Sequence, residues 1–326
     1  MSSIDIQLNE FNNKSIIEIS GSKNSSLPII AASILCDEIV YINNIPKISD
    51  VKKMLQILNF LKIKHIFQDN TLKIYPKKHV KWNIKTNITN DLRGSYYFLG
   101  SLISKKSKVK LYNIGGCNIG KRPINYHLNS FQKMGLKINS KENETKISGH
   151  IKNTIINLDY PSVGATINII LASVKNKSKT NIIINNASIE PEVVDLCNFL
   201  ISMGANINGV GTNNICINSV KHLHSTNYTI ISDRIEAGTF LILGALHNGI
   251  ILKNVNLNHL SSVITILKNI GCTIEEKDNL IYLYPNKQKS FSITTQAYPE
   301  FPTDLAPQIS VLATQLNGFS TITETV

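Results

Sequence analysis

The feature that most constrains this chain is that it repeats itself. KNSSLPIIAASILCDEIVYINNI, starting at Lys23, reads as a polar turn, an apolar helix and a strand that ends in Asn-Asn. The same order returns in LRGSYYFLGSLISKKSKVKLYNI, SVGATINIILASVKNKSKTNIIINNA and RIEAGTFLILGALHNGIILKNV, and a fifth copy starts at PTDLAPQISVLATQLNGFSTITETV. Lys23, Arg93, Ser162, Arg234 and Thr303 mark equivalent points, about 70 residues apart. The second half of each copy repeats as well. DVKKMLQILNFLKIKHIF, INYHLNSFQKMGLKIN, EVVDLCNFLISMGANIN and SSVITILKNIGCTIE carry apolar residues at three- and four-residue spacing, which predicts amphipathic helices. The last three end on a glycine suited to a helix C-cap. A short apolar strand such as NNICINSV or NLIYLYP then closes the copy, so each reads as β-α-β-α-β-β.

A unit of this kind cannot bury both faces alone, so the copies must pack on one another. The first helix of each copy is apolar nearly all round, as in INIILASV and LILGALHNGI, which predicts burial on every side. The class is therefore α/β, with helices inside and sheets outside. The N-termini of the inner helices should gather at one end, where each attracts anions. Those starts carry Lys23 and Asn24, Arg93, Ser162 to Gly164, Arg234 with Glu236, and Asp304. A cation at a helix N-terminus opposes the macrodipole, so Lys23 and Arg93 suggest bound anions. A purely structural account also exists: Ser162 as an ordinary N-cap, Arg234 paired with Glu236 or Asp233.

One loop stands apart. GGCNIGKRPINYH, Gly115 to His127, sets Cys117 between glycines and follows it with Lys121, Arg122 and Pro123. A thiol beside fixed positive charge has a lowered pKa and is reactive, and glycines let backbone approach a ligand or move. A hairpin turn with an incidental cysteine is the plainer account. Five cysteines without a CxxC pair argue against a disulfide framework and a zinc site.

Composition excludes other classes. Apolar content of 42% with 17% charged residues describes a folded chain, long enough for two domains. No apolar run reaches membrane-span length, and the start MSSIDIQLNE is no secretory signal, so the cytoplasm is the expected location. The net charge of +12 comes from lysines scattered through loops, without a basic stripe interleaved with aromatics, which argues against nucleic acid and fits an anionic small substrate.

GSKNSSLP, GGCNIGKRP, PSVGAT, EPEVVD, DRIEAGTF, FPTDLAPQ and ITETV, in this order and spacing, resemble the UDP-N-acetylglucosamine 1-carboxyvinyltransferase family over essentially the whole chain. The resemblance implies the enolpyruvyl-transferase fold, an inside-out α/β barrel of repeated units in two domains. It implies transfer of the enolpyruvyl group of phosphoenolpyruvate to the 3-hydroxyl of UDP-N-acetylglucosamine, with loss of phosphate, as the first committed step of peptidoglycan precursor synthesis. It implies no metal and no organic cofactor. Cys117 matches the family's proton donor on a lid, the target of fosfomycin, and Arg122 the cation that grips phosphate. Lys23 matches the lysine facing both substrates, Asn24 a partner of the sugar, and Asp304 the carboxylate that takes or orients the hydroxyl proton. Arg93, Arg122, Pro123, Ile124, Asn125, Tyr126, His127, Tyr160, Pro161, Ser162, Val163, Gly164 and Val326 match nucleotide-sugar contacts. Three positions depart from the family pattern: Asn125 replaces an acidic residue, Tyr160 stands where a basic one is common, and Tyr97 follows Arg93 where Trp is found.

The expected first domain is 21–224, with the cysteine loop at 115–123, and the expected second is 1–20 plus 225–326, incomplete at its end. By the resemblance a full chain continues through the fifth repeat and adds a sixth. Three histories are compatible with that expectation: a decayed remnant that binds UDP-N-acetylglucosamine without turnover, a second chain that supplies the remaining repeats, or a partial record. The related 3-phosphoshikimate transferase is the near alternative, but it uses no loop cysteine.

Overall fold

The computed structural model describes residues 16–84, 92–112, 124–141, 144–176 and 179–326. Among them the chain runs through one succession of elements four times and begins it again. The first copy is β1 (Ile16–Glu18), α1 (Lys23–Ser33), β2 (Val40–Asn43), α2 (Ser49–Phe60), β3 (His65–Gln68) and β4 (Thr71–Ile74). The second is β5 (Asn83–Ile84), a 3-10 turn at Arg93–Tyr96, α3 (Tyr97–Lys106), β6 (Lys108–Tyr112), α4 (Asn125–Lys133), β7 (Lys137–Lys141) and β8 (Glu144–Ser148). The third is β9 (Thr154–Asn157), α5 (Val163–Ser173), β10 (Asn181–Asn185), α6 (Pro191–Ser202), β11 (Asn206–Asn208) and β12 (Asn214–Asn218). The fourth is β13 (Thr226–Thr229), α7 (Arg234–Leu246), β14 (Ile250–Lys253), α8 (Ser261–Ile270), β15 (Cys272–Lys277) and β16 (Leu280–Pro285). The fifth begins with β17 (Ser292–Thr295), a 3-10 turn at Thr303–Leu305, α9 (Ala306–Ala313) and β18 (Thr321–Glu324).

Copies two and three each make a closed four-stranded sheet of their own, ordered β5-β6-β8-β7 and β9-β10-β12-β11. Copies one and four exchange their first strands. β13 lies parallel on β2, and β1 lies parallel on β14, giving the orders β13-β2-β4-β3 and β1-β14-β16-β15. An asparagine after the second strand secures each arrangement. Asn44, in the left-handed region, donates its Nδ2 to Ile230 O at 3.0 Å, just past β13. Asn254 does the same to Ile19 O at 2.7 Å, just past β1, and Asn186 to Leu158 O at 2.8 Å within copy three. Asparagine suits this place because its short amide tolerates a left-handed backbone and reaches a nearby carbonyl.

The chain divides into two units, 20–232 and, among the described residues, 16–19 with 233–326. The expected boundary after residue 224 is therefore displaced, because β13 completes the sheet on β2 and carries 225–232 into the first unit.

In the first unit α1, α3 and α5 form the centre. Nine of the eleven residues of α1 and nine of the eleven of α5 are buried. α3 and α5 approach so closely that a Cβ on Gly100 would come within 2.6 Å of Asn168 O. Helices this tightly enclosed cannot reach water, so their polar groups are satisfied by one another. Ser101 Oγ donates to Ala31 O at 2.7 Å, Lys105 Nζ to Ile34 O at 2.7 Å and Lys175 Nζ to Leu35 O at 2.8 Å. The last two place cations on the carbonyls at the end of α1, where the macrodipole favours them. α2 lies outside, burying Val51, Met54, Leu55, Ile57 and Leu58 along one stripe.

The second unit encloses its inner helices less completely than the first. α7 buries seven of its thirteen residues, and α9 buries only Ile309 and Leu312, with Val311 55% exposed. An all-round apolar pattern permits complete burial but does not supply the neighbours that would accomplish it.

Candidate functional site

Ser22 caps α1 by accepting from Ser25 N at 3.2 Å, which leaves Lys23 exposed as the first helical residue and Asn24 half-buried behind it. Ser22 N donates to Ile231 O at 2.8 Å and Gly21 bridges Ser232, so the strand leaving the first unit holds the strand that enters it. Ser162 is also an N-cap, accepting from Ala165 N at 3.4 Å. Arg93, expected on a helix start, lies instead in the 3-10 turn that precedes α3. Asp304 likewise lies in a 3-10 turn, one residue clear of α9.

Three elements of the first unit converge. The Arg93 guanidinium carbon stands 5.5 Å from the centre of the Tyr96 ring, and the Tyr96 ring is 5.7 Å from the ring of His127 on α4. His127 packs on the first turn of α5, where a Cβ on Gly164 would lie 2.8 Å from its Cε1. Beside Arg93, Gly94 abuts Leu27 of α1, a Cβ there falling 2.8 Å from Leu27 Cδ1. The starts of α1, α3 and α5 and the buried histidine of α4 are thus packed as one array, although the sequence spreads them from residue 23 to residue 164. Around it, Ile124 is the residue before α4, while Asn125, Tyr126 and Tyr160 are exposed and Pro161, Ser162 and Val163 are half-buried.

Burial sets the electrostatics. It pushes His127 down to about 4, with Arg93 adding to the effect, so the imidazole is neutral near pH 7. It pushes the Tyr97 phenol up to about 12, against Arg93 and with Glu192 and Glu190 at the α6 start. Glu192 is itself buried, and Ser188 Oγ hydrogen-bonds Glu190. Farther along α6, Asp195 accepts from Tyr228 Oη at 2.6 Å and from Ile231 N at 3.4 Å. Burial outweighs these bonds and pushes its carboxyl up to about 6.

Cys117, Arg122 and Pro123 fall outside the described residues. Three others are poor nucleophiles: burial pushes Cys197 up to about 12 and raises Cys36 and Cys272.

In the second unit Asp304 and Val326, both exposed, are gathered by Glu324. Its carboxylate accepts from Thr303 Oγ1 at 2.8 Å, next to Asp304, from Val326 N at 2.9 Å and from Thr295 Oγ1 at 2.6 Å. Burial works to raise this carboxyl, but the bonds from Thr295, Val326 and Thr303 outweigh it and hold it low. Asp233 caps α7 through Ile235 N and Glu236 N at 2.9 and 3.0 Å, and buried Arg234 stands over the Tyr298 ring at 5.5 Å. Sequence reading missed Asp195, Glu324 and Asn168. The signal available was a polar residue on a helix face that the apolar spacing gives to the core, as Asp195 is in EVVDLCNFL. Among the described residues no group of three or more His, Cys, Asp or Glu could hold a metal ion, and no helix is long and apolar enough to cross a membrane.

The family profile of EPSP synthase (3-phosphoshikimate 1-carboxyvinyltransferase) matches residues 11–326. The UDP-N-acetylglucosamine 1-carboxyvinyltransferase of Halothermothrix orenii is 42% identical over 316 residues, which cover 96% of this chain and 76% of that protein. The chain belongs to the UDP-N-acetylglucosamine 1-carboxyvinyltransferase family. The Thermotoga maritima member is 38% identical over 95% of this chain and 74% of its own length. Among solved structures, the enolpyruvyl transferase NikO from Streptomyces tendae matches with a TM-score of 0.82 over 95% of this chain and 75% of its own, at 18% identity. EPSP synthase from Acinetobacter baumannii matches with a TM-score of 0.69 over 94% and 73%, also at 18% identity. These two likenesses show the enolpyruvyl-transferase fold, α/β with central helices and outer sheets.

Proposed function

We propose that this chain transfers the enolpyruvyl group of phosphoenolpyruvate to the 3-hydroxyl of UDP-N-acetylglucosamine, in the cytoplasm, and that the array around Arg93 and His127 holds the nucleotide sugar. The observation that carries the reading is the convergence itself. Arg93, His127 and the Ser162–Gly164 turn touch in sequence in the first unit, in a chain whose relatives are named for this reaction. Arg93, Lys23 and the cap at Ser162 offer cations and helix amides to a diphosphate.

In the reaction the sugar oxygen bonds to C2 of phosphoenolpyruvate while C3 takes a proton, giving a tetrahedral adduct. Phosphate then leaves C2, and C3 returns a proton to restore the double bond. Cys117, which the sequence sets between glycines, is the acid over C3. Arg122 and Lys23 face the phosphate and carboxylate, where their charge offsets what develops in the adduct. Asp304 is the carboxylate for the sugar hydroxyl proton.

The test is chemical. Fosfomycin, an epoxide, should alkylate Cys117 and leave Cys36, Cys197 and Cys272, whose burial keeps them as thiols. Cys117→Ser should abolish most phosphate release while UDP-N-acetylglucosamine still binds, because ground-state binding does not use the thiol. Mass spectrometry that finds the label on Cys272 or Cys36 and none on Cys117 refutes the role.

A further inference from the structure

His127 is a buried ring with two nitrogens, and a ligand's affinity depends on which of them carries the proton. The surroundings decide it without reference to any ligand. Asn168 is completely buried in α5. Its Oδ1 sits 2.9 Å from Gly100 N, a backbone N–H that can only donate. Its Nδ2 sits 3.4 Å from Gly164 O, a carbonyl that can only accept. Both contacts demand the same orientation of the amide, so the group turned toward the His127 ring is the NH2. The distance from Nδ2 to His127 Nδ1 is 3.0 Å, and an NH2 has nothing to accept with, so Nδ1 must be the bare nitrogen. The ring is neutral near pH 7, and its single proton is left to Nε2.

Geometry then says where that proton points. Nε2 and Cε1 are the ring atoms turned to Gly164, and a Cβ at 164 would lie 3.0 Å from Nε2 and 2.8 Å from Cε1. Any other residue at 164 would wedge against the ring edge that carries the donor. Asn168 also binds the three helices together: its own α5 through Gly164 O, α3 through Gly100 N and α4 through His127.

We propose that Asn168 is the positioning residue that holds His127 as its Nε2–H tautomer, so that this N–H, at the ring edge packed beside Gly164, serves an acceptor oxygen of the bound nucleotide sugar. The ligand half of the proposal rests on the function proposed above; the tautomer half does not.

The experiment is long-range proton–nitrogen NMR of the whole chain labelled with 15N-histidine. Free wild-type protein should show His127 with a bare Nδ1 and a protonated Nε2. Addition of UDP-N-acetylglucosamine should move the Nε2 signals and leave Nδ1 bare. A proton on Nδ1 in the wild type overturns the proposal outright, with no variant required. Asn168→Asp keeps an acceptor for Gly100 N–H but cannot donate, so Nδ1 should gain a proton. A residue with a merely structural role would not reverse the ring in this way. By calorimetry, Asn168→Ala should weaken UDP-N-acetylglucosamine binding about tenfold, the scale of one lost buried hydrogen bond. His127→Phe should weaken it by a similar factor, and Asn168→Ala added to His127→Phe should bring little further loss, since the first residue acts through the second. Additive losses overturn the coupling. A wild type with the expected tautomer and no affinity for UDP-N-acetylglucosamine removes the ligand and the function, and leaves the tautomer standing.

Discussion

α5 and α9 are written in the same alphabet and end in different surroundings. INIILAS in α5 and APQISVLA in α9 are both apolar on all sides. Nine of eleven residues of α5 are buried, against two of eight of α9. The first unit surrounds α5 with α3, α4, α6 and its own sheet, and ties α3 to both neighbours through Ser101 and Gly100. In the second unit α9 packs on α7, and the tie between them is Gln308 Nε2 to Thr239 Oγ1 at 3.0 Å, in a partly open place. The contrast teaches that an apolar helix records the environment it tolerates. The number of faces covered is a property of its neighbours.

The sharpest way to break the comparison is to cut the two helices alike. Ile170→Ala in α5 should cost about 4 kcal/mol, transfer plus cavity, since the enclosing helices cannot collapse onto the gap. Val311→Ala in α9 should stay within about 0.5 kcal/mol, because Val311 is already 55% in water. Denaturant melts of the two variants check this, and equal losses would mean that α9 is as enclosed as α5.

Titration sharpens it next. The first unit buries two groups with opposite pH behaviour. His127, at about 4 in the fold and about 6.5 unfolded, leaves the unfolded chain richer in protons between those values, so its contribution rises with pH there by about 3 kcal/mol. Asp195, at about 6 in the fold and about 3.9 unfolded, leaves the folded chain richer in protons, so its contribution falls with rising pH by about 3 kcal/mol. The two nearly cancel. Asp195→Asn should therefore steepen the climb of stability from pH 4 to 6.5, and His127→Phe should turn it downward between pH 4 and 6. Melts at a series of pH values that keep the wild-type slope in both variants would remove these groups from the account.

The smallest effect concerns the ties. Ser101→Ala should cost about 1 kcal/mol or more, because it leaves Ala31 O without its side-chain donor in a dry interface. Gln308→Ala should cost less than half of that, because Thr239 Oγ1 keeps its bond to Ile235 O and the change also removes the buried, unpartnered Gln308 Oε1. Reversed magnitudes would show that the second unit is the drier one.

Much of this was legible beforehand. The β-α-β-α-β-β succession follows from the change between helical and strand spacing in each copy, and the structure repeats it through β16. The inner helices of the first unit could be read from their lack of a polar face. The partner of β13 could not. TNYT alternates half-buried with exposed residues, which describes an edge strand and names no sheet. At the site, Lys23, Arg93 and Ser162 stood out because they begin helices, but a 3-10 turn at Arg93 looks the same in sequence as a helical first turn. Asn168 was hidden in INIILA as one polar letter among apolar ones. Its meaning needed Gly100, 68 residues earlier, and His127, 41 earlier.

The exchange of first strands has a consequence for how the chain comes off the ribosome. β2 is made early, but the strand that will lie along it follows far behind: Asn44 and its partner Ile230 are 186 residues apart. At ordinary elongation speeds that is roughly 10 to 40 seconds in which the β2 edge has no occupant. β1 waits longer, since Ile19 and Asn254 are separated by 235 residues. The first unit is one continuous stretch that cannot close its β2 sheet until its last strand is made. The second must hold β1, made at the start, for a sheet completed from residue 250 onward. A gene cut after residue 224 would strand β2, whereas one cut after residue 232 would deliver its neighbour with it.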